Sequence, residues 1–368
     1  MTVQSNHKNR ILIVDDTPEN IQVLMGVLKD DYAIVAATNG ERALRLANSE
    51  PPPDLILLDV MMPNLDGYEV CSRLKADPKT EGIPVVFVTA LTGEADEARG
   101  LQLGAVDFIT KPFQPSLVKM RARNHIELKR HRDDLEAMVE ERTREIALVQ
   151  EVTIEAMATV AETRDPETGG HIKRTQTYVR LLAQHVKDNP KFADELDDAT
   201  IALLYQSAPL HDIGKVGIPD NVLLKPGKLT DEEFDEMKKH TVYGRDVLAK
   251  AASRLGENSF LHFARDIAYT HHEKWNGRGY PQNLSGEDIP LPGRLMAIAD
   301  VYDALVSKRV YKPPFPHSKA VGIIAEERGE HFDPDLVDAF MEIQDDFRLT
   351  ALKYADFDEE REVLSATN

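Results

Sequence analysis

The fold of the first third of the chain is decided by four apolar residues that end in an aspartate, Leu55-Ile56-Leu57-Leu58-Asp59. Similar runs lie on either side, at Ile11 to Val14, Val85 to Val88 and, more weakly, Val106 to Ile109. Short apolar runs bounded by charged residues, proline or glycine are typical of parallel strands buried on both faces. Because segments with helical spacing separate the runs, we predict a doubly wound α/β domain over residues 8–125.

The composition indicates an acidic protein with ordinary cores. The 368 residues suggest two or three domains, and 44 Lys+Arg against 63 Asp+Glu leave a net charge of -19. This charge argues against binding to DNA or to an anionic membrane, because both need basic surface. The one cysteine, Cys71, excludes an internal disulfide and a cysteine-rich zinc site. The polar N-terminus does not resemble a secretory signal, and we expect a cytoplasmic protein.

Residues 116–164 contain neither proline nor glycine, which predicts a long linker helix. A broken apolar stripe runs along it: Leu128, Leu135, Met138, Val139, Ile146, Val149 and Val152. A parallel coiled-coil homodimer would cover this stripe, although His131, Arg142 and Glu145 interrupt the heptads. The alternative is that the helix packs on its own domains. Helical patterns continue beyond it, and we predict an all-α domain over residues 150–350.

Polar side chains follow the predicted strands, namely Asp15 and Asp16, Asp59, Thr89 and Lys111. In an open α/β sheet, ligand sites lie beyond the carboxyl ends of the strands, so these residues should meet at one rim. Clustered carboxylates repel each other unless a cation lies among them, and oxygen ligands favour Mg²⁺.

Residues 8–125 resemble a response-regulator receiver domain. The resemblance rests on Val14-Asp15-Asp16, Leu58 to Pro63, Val88-Thr89-Ala90 and Thr110 to Phe113. It implies a flavodoxin-like parallel sheet of five strands and a phosphoacceptor, Asp59, that takes its phosphoryl group from a sensor histidine kinase. It also implies that Asp16, Asp59 and the Met61 carbonyl hold Mg²⁺, with Asp15 acting through water. Lys111 and Thr89 would contact the phosphoryl group, and Phe108 would be the switch aromatic.

Histidines and acids in the second half form a recurrent pattern: His211-Asp212, His271-His272, His240, Asp300, and Glu167 with His171. Imidazole and carboxylate ligands without cysteine suit first-row transition metals. Two such metals, bridged by a carboxylate, can activate water and clamp the oxygens of a phosphoester. The residues alone leave open the alternative of surface histidines with carboxylate neighbours.

Residues 150–350 resemble an HD-GYP domain of the HD phosphohydrolase superfamily. The resemblance rests on Glu167 to His171, His211 to Lys215, His271 to Glu273, Asn276 to Pro281, Arg294 and Ala299 to Leu305. It implies hydrolysis of cyclic di-GMP to pGpG and on to GMP. The implied metal ligands are Glu167, His171, His211, Asp212, His240, His271, His272 and Asp300, with Asp212 as the bridge. Glu167 favours three iron or manganese ions over two.

The resemblance also implies how substrate is held. Lys215 would act beside the metals in catalysis, and Lys215, Arg294 and Lys312 are the candidate phosphate contacts. The loop Gly279-Tyr280-Pro281 would border the site and contact diguanylate cyclase proteins, or it would simply form a turn. Two rival functions remain. One is a catalytically silent module that binds cyclic di-GMP or proteins, and the other is a different HD-type nucleotide phosphohydrolase.

Overall fold

The computed structural model describes residues 8–90, 94–162, 170–254, 259–308 and 313–366. The chain divides into two compact units between Arg144 and Glu145. The division falls within the predicted linker helix. No helix in the described ranges is both long enough and apolar enough to cross a bilayer.

The first unit is built on a parallel sheet of five strands, as predicted. The strands are β1 (Arg10–Val14), β2 (Ala33–Ala37), β3 (Leu55–Asp59), β4 (Val85–Thr89) and β5 (Asp107–Thr110), in the order β2-β1-β3-β4-β5. No apolar run marked β2, because this edge strand is only partly buried and is rich in alanine. Leu58 is in register with Val14 and with Phe87, so the strands end at one level.

Helices cover both faces of this sheet. They are α1 (Pro18–Leu28), α2 (Gly40–Ala47), α3 (Gly67–Ala76), α4 (Glu94–Gln102) and the start of α5 (Pro115–Glu162). Alternate strand residues point to opposite faces. Ile11 and Leu57 therefore share a core with α1 and α5, whereas Leu12 and Leu58 share a core with α2 and α3.

The helix α5 changes character along its length. Its first turns are buried against the sheet through Val118, Ala122 and Ile126. Beyond them, all seven members of the predicted stripe are exposed: Leu128, Leu135, Met138, Val139, Ile146, Val149 and Val152. Within the described residues the stripe is therefore solvent-exposed, whereas both ends of α5 pack on their own domains, since Ile154 near the other end shares a core with Leu210 and Leu248.

The second unit is all-α, as predicted. After the end of α5 its helices are α6 (Gly170–Val186), α7 (Asp198–Ser207), α8 (Asp220–Leu223), α9 (Asp231–Ala252), α10 (Phe260–Thr270), α11 (Leu291–Val306), α12 (His317–Glu326), α13 (Pro334–Lys353) and α14 (Asp358–Ser365). The sequence after Lys353 is polar, a pattern typical of a frayed terminus, but the structure forms the helix α14 there. Glu360 and Leu364 of α14 are buried, and Leu364 joins the main core.

Candidate phosphoacceptor site and metal centre

The ends of β1 and β3 bring three carboxylates together. Ligand atoms of Asp15, Asp16 and Asp59 lie within 4.8 Å of one another. Lys111 Nζ lies 2.8 Å from Asp15 Oδ2 and 3.0 Å from Asp59 Oδ2. Burial raises the pKa of Asp59, and the lysine only partly offsets this effect. An all-oxygen donor set of this kind fits Mg²⁺.

The structure also describes the other predicted receiver residues, Thr89, Met61 and Phe108. Thr89 ends β4 and is buried. The Met61 side chain is exposed, and its backbone N–H donates to Asp59 Oδ1 at 3.4 Å. Phe108, on β5, lines a cavity together with Thr89.

In the second unit, seven of the eight predicted metal ligands form two groups, each with ligand atoms within 4.8 Å. One group is His171, His211 and Asp300, and the other is Asp212, His240, His271 and His272. They come from α6, α9 and α11, from the turn after α10, and from the turn between the two 3₁₀ segments that follow α7. His211 Nε2 lies 3.4 Å from Asp212 Oδ2, so the two groups adjoin. Glu167 lies outside the described residues.

Four of these histidines are oriented in the same way, by a bond from Nδ1 to an oxygen. The partners are Asp303 Oδ2 for His171 and the carbonyls of Ala208, Met237 and Ile267 for His211, His240 and His271, at 2.8–2.9 Å. Because these oxygens only accept, Nδ1 carries the hydrogen. In the neutral ring, Nε2 then presents a lone pair to the site, which is the usual arrangement of a metal-bound histidine.

Several buried atoms of the site lack a conventional partner. Asp212 Oδ1, His240 Nε2 and His271 Nε2 are buried without a hydrogen bond to any described residue. In the other group, Nε2 of His171 faces Nε2 of His211 at 3.3 Å, so two lone pairs meet. Buried polar atoms are rarely left unsatisfied, and a cation between Asp212 Oδ1, His240 Nε2 and His271 Nε2 would satisfy these three. The residues present therefore fit a metal centre.

Electrostatics favour the ligand forms of most of these groups. Burial raises the pKa of Asp212, but Lys215 and His211 outweigh burial and hold it well below its ordinary value. Burial lowers the pKa of His240 to about 4 and that of His272 well below its usual range. For His211, burial lowers the pKa but the Asp212 carboxylate raises it more, so a proton competes with a cation there.

Known proteins match both units. A profile of the response regulator receiver domain matches residues 11–123, and one of the HD domain matches residues 155–336. A "Probable cyclic di-GMP phosphodiesterase" of Vibrio cholerae is 46% identical over 364 residues, or 97% of this chain and 82% of that protein. The cyclic di-GMP phosphodiesterase response regulator RpfG of Xanthomonas campestris is 35% identical over 302 residues, or 78% and 75%. The 3'3'-cGAMP-specific phosphodiesterase 2 of Vibrio cholerae is 42% identical over 191 residues, or 52% and 34%.

The chain belongs to the family of response regulators that join a receiver domain to an HD domain. The predicted fold class and family are thereby confirmed. The HD domain implies a metal-dependent hydrolase, and its two ligand groups are the candidate metal site.

In the HD domain, Lys215 and Asp212 form an ion pair, with Nζ 2.8 Å from Oδ2. Their segment lies directly against α9. A Cβ on Gly214 would come within 1.9 Å of the His240 carbonyl oxygen. A glycine is therefore required where the Asp212 segment approaches His240.

The Gly279-Tyr280-Pro281 loop is held beside the metal candidates. The buried Glu273 carboxylate accepts the backbone N–H of Gln282 at 2.7 Å and that of Leu284 at 3.0 Å. The Tyr280 ring lies over His272, with ring centroids 4.8 Å apart. The loop therefore borders the candidate metal site. Its contact with diguanylate cyclase proteins stays a prediction.

The structure describes only one of the two other candidate phosphate contacts, Arg294 and Lys312. Arg294 Nη1 donates to Asp333 Oδ2 at 2.8 Å, and both residues are buried, so its charge already has a partner. Its contact with substrate stays a prediction. Lys312 lies outside the described residues.

Two residues of the site were not predicted as functional. Asp303 lies one turn after Asp300 and accepts a hydrogen bond from His171. Arg174 lies one turn after His171 and donates a hydrogen bond to Asp303. The spacing of three residues was the available signal, since it places each pair on one helix face.

Proposed function

We propose that the chain is a response regulator whose HD domain hydrolyses cyclic di-GMP, controlled by phosphorylation of Asp59. The observation that carries this proposal is the pair of adjoining ligand groups, with the Nε2 atoms of four histidines and the Asp212 carboxylate aimed inward. The names of relatives that span most of the chain support the substrate.

The residues present define the chemistry. Metal ions bound by the two groups would activate water and neutralise charge on the phosphodiester. Asp212, a carboxylate at neutral pH, adjoins both groups and so suits the bridging position. Lys215 adds a positive charge beside it. With a chain charge of -19, these local cations must attract the anionic dinucleotide.

The ligand types of the two domains limit which metal ions would bind but do not identify a single one. Imidazoles and carboxylates without cysteine suit iron or manganese in the HD domain, and carboxylates alone suit Mg²⁺ in the receiver domain. Glu167 as an eighth ligand would favour three ions over two. Elemental analysis of protein purified without added metal tests both the identity and the number of the ions.

The direct test is turnover of cyclic di-GMP by purified protein with Mn²⁺ or Fe²⁺, with chromatography of the products. We expect pGpG and then GMP from the wild type and no turnover from a variant that combines His211→Ala with Asp212→Ala. Absence of turnover in both proteins would favour the silent binding module. Equal turnover in both would place the chemistry at another site or in a contaminant.

A second candidate substrate is 3'3'-cGAMP, because a relative of the HD domain is named for it. Assays with the two cyclic dinucleotides under one set of conditions compare their kcat/KM values. A higher value for 3'3'-cGAMP would replace the first assignment while leaving the metal site intact.

The proposed partners follow from both domains. A sensor histidine kinase would supply the phosphoryl group to Asp59, and the loop around Tyr280 would offer a surface to diguanylate cyclase proteins. The exposed stripe of α5 would pair with that of a second copy, because seven apolar side chains share one helix that is mostly charged elsewhere.

A further inference from the structure

Asp303 occupies a central position in the HD domain without joining either ligand group. Its Oδ2 lies 2.8 Å from His171 Nδ1, and its Oδ1 lies 2.6 Å from Arg174 Nε. Arg174 Nη2 adds a bond to Oδ2 at 3.0 Å. Asp303 and Arg174 are almost completely buried, at 1% and 2% exposure, so water does not weaken these contacts.

This arrangement sets the orientation of His171. By accepting the Nδ1 hydrogen, the Asp303 carboxylate holds the ring in the tautomer that presents Nε2 to His211 and Asp300. Outer partners of this kind also raise the basicity of a ligating histidine, and their loss costs about 10- to 100-fold in metal affinity.

Arg174 links Asp303 to the end of the chain. Its Nη1 donates to the Tyr354 carbonyl at 2.8 Å and to Asp356 Oδ2 at 2.9 Å, and its Nη2 donates to Ser307 Oγ at 2.9 Å. With the bonds to Asp303, all five N–H donors of the guanidinium group are engaged. A lysine has three donors and no planar fork, so it could not replace this set.

The segment that meets Arg174 is itself anchored. Glu360 of α14, which is 2% exposed, accepts the backbone N–H of Asp356 at 2.9 Å and that of Lys308 at 2.7 Å. A continuous series of contacts therefore runs from α14 through Asp356, Arg174 and Asp303 to His171.

We propose that Asp303 and Arg174 are positioning residues through which the C-terminal segment, Tyr354 to Ser365, orients His171 and so sets the metal affinity of the group His171, His211 and Asp300. The proposal rests on that group being a metal site, as the proposed function requires. The segment Tyr354 to Ser365 thereby acts on the site although it lies far from His171 in the sequence.

The test is metal content and affinity in the full-length protein. Asp303→Asn and Asp356→Ala variants are loaded with Mn²⁺, dialysed and analysed for metal per chain, and affinity is measured by titration. We expect Asp303→Asn to lose about one ion per chain and Asp356→Ala to bind that ion about 10-fold more weakly. Urea unfolding and circular dichroism follow the fold of each variant.

The matched control is Asp333→Asn, which breaks another buried Arg–Asp pair of the HD domain, between Arg294 and Asp333. We expect this variant to lose stability but to keep the wild-type metal content. If it loses metal as Asp303→Asn does, general destabilisation explains the effect and the proposal falls.

Other outcomes also decide the question. Wild-type metal content and affinity in both Asp303→Asn and Asp356→Ala would overturn the proposal, as would a wild type that holds no metal at this group. If Asp303→Asn fails to fold, the partly exposed Asp356 provides the decisive variant. A last outcome separates the two proposals. If the variants lose metal, and the wild type binds metal but does not hydrolyse cyclic di-GMP, the proposed function is refuted and the positioning role stands.

Discussion

At the scale of one residue, Lys215 is the side chain for which we propose a role in the chemistry without metal binding. Its ammonium group lies 2.8 Å from Asp212 Oδ2 and lowers the pKa of that carboxyl group. A positive charge near the phosphate would stabilise the negative charge that develops during hydrolysis. Without Lys215, His211 would still lower the pKa of Asp212, so we expect this carboxylate to stay anionic.

We therefore expect Lys215→Ala to lower kcat by about 10²- to 10³-fold while metal content stays at the wild-type level. Steady-state kinetics and elemental analysis of the same preparation measure both quantities. Lys239→Ala serves as the control, since Lys239 is half exposed and pairs with Glu236 on the same helix. Loss of metal, or a change in kcat below about threefold, would contradict this role.

At the scale of one element, α5 combines a buried start with an exposed apolar stripe. Leu128, Leu135 and Val149 are 63%, 61% and 60% exposed and repeat at multiples of seven residues. Fully burying such a side chain contributes roughly 1.5–3 kcal/mol, so a few pairs can hold two helices together even with Arg142 in the seam.

We expect the wild type to be a dimer and the double variant Leu135→Glu, Val149→Glu to be a monomer, because four buried carboxylates would face one another in the seam. Sedimentation equilibrium measures the mass of each protein. Arg144→Glu, on the polar side of the helix, should leave the dimer intact. A wild type that sediments as a monomer would refute the paired helix.

At the scale of the whole molecule, the proposed phosphoacceptor Asp59 and the candidate metal centre belong to different units. Lys111 contacts both Asp15 and Asp59, so a phosphoryl group on Asp59 would add negative charge at a point where a lysine already bridges two carboxylates. Such a change can shift a receiver domain between two states, and regulation requires that these states differ in their effect on the hydrolase or on dimerisation.

We expect beryllofluoride, which mimics the phosphoryl group, to change the hydrolysis rate or the dimer dissociation constant by about 5- to 150-fold. Assays of turnover and of mass with and without beryllofluoride measure the effect. Asp59→Asn should not respond. If both quantities stay constant in the wild type, the receiver domain does not control this hydrolase through Asp59.

Local sequence patterns were sufficient to predict much of the secondary structure. Continuous apolar runs marked β1, β3 and β4, and helical spacing predicted the long helix α5 and the all-α second domain. The edge strand β2 was not marked, because partial burial removes the continuous apolar run. The terminal helix α14 was missed for a different reason: its burial depends on Leu364 and Glu360, which meet residues far away in sequence.

The amino-acid sequence by itself determined the two domain classes and the kinds of ligand that each domain offers, because strand runs, helical spacing and residue chemistry are local properties. Only the tertiary structure decided how those ligands divide into two groups, which nitrogen of four of the histidines faces inward, and that Asp303 contacts His171 while Arg294 is paired with Asp333. These contacts join residues 132 and 39 positions apart. Local spacing carries no information about such pairs, since they arise only when helices pack around a common core.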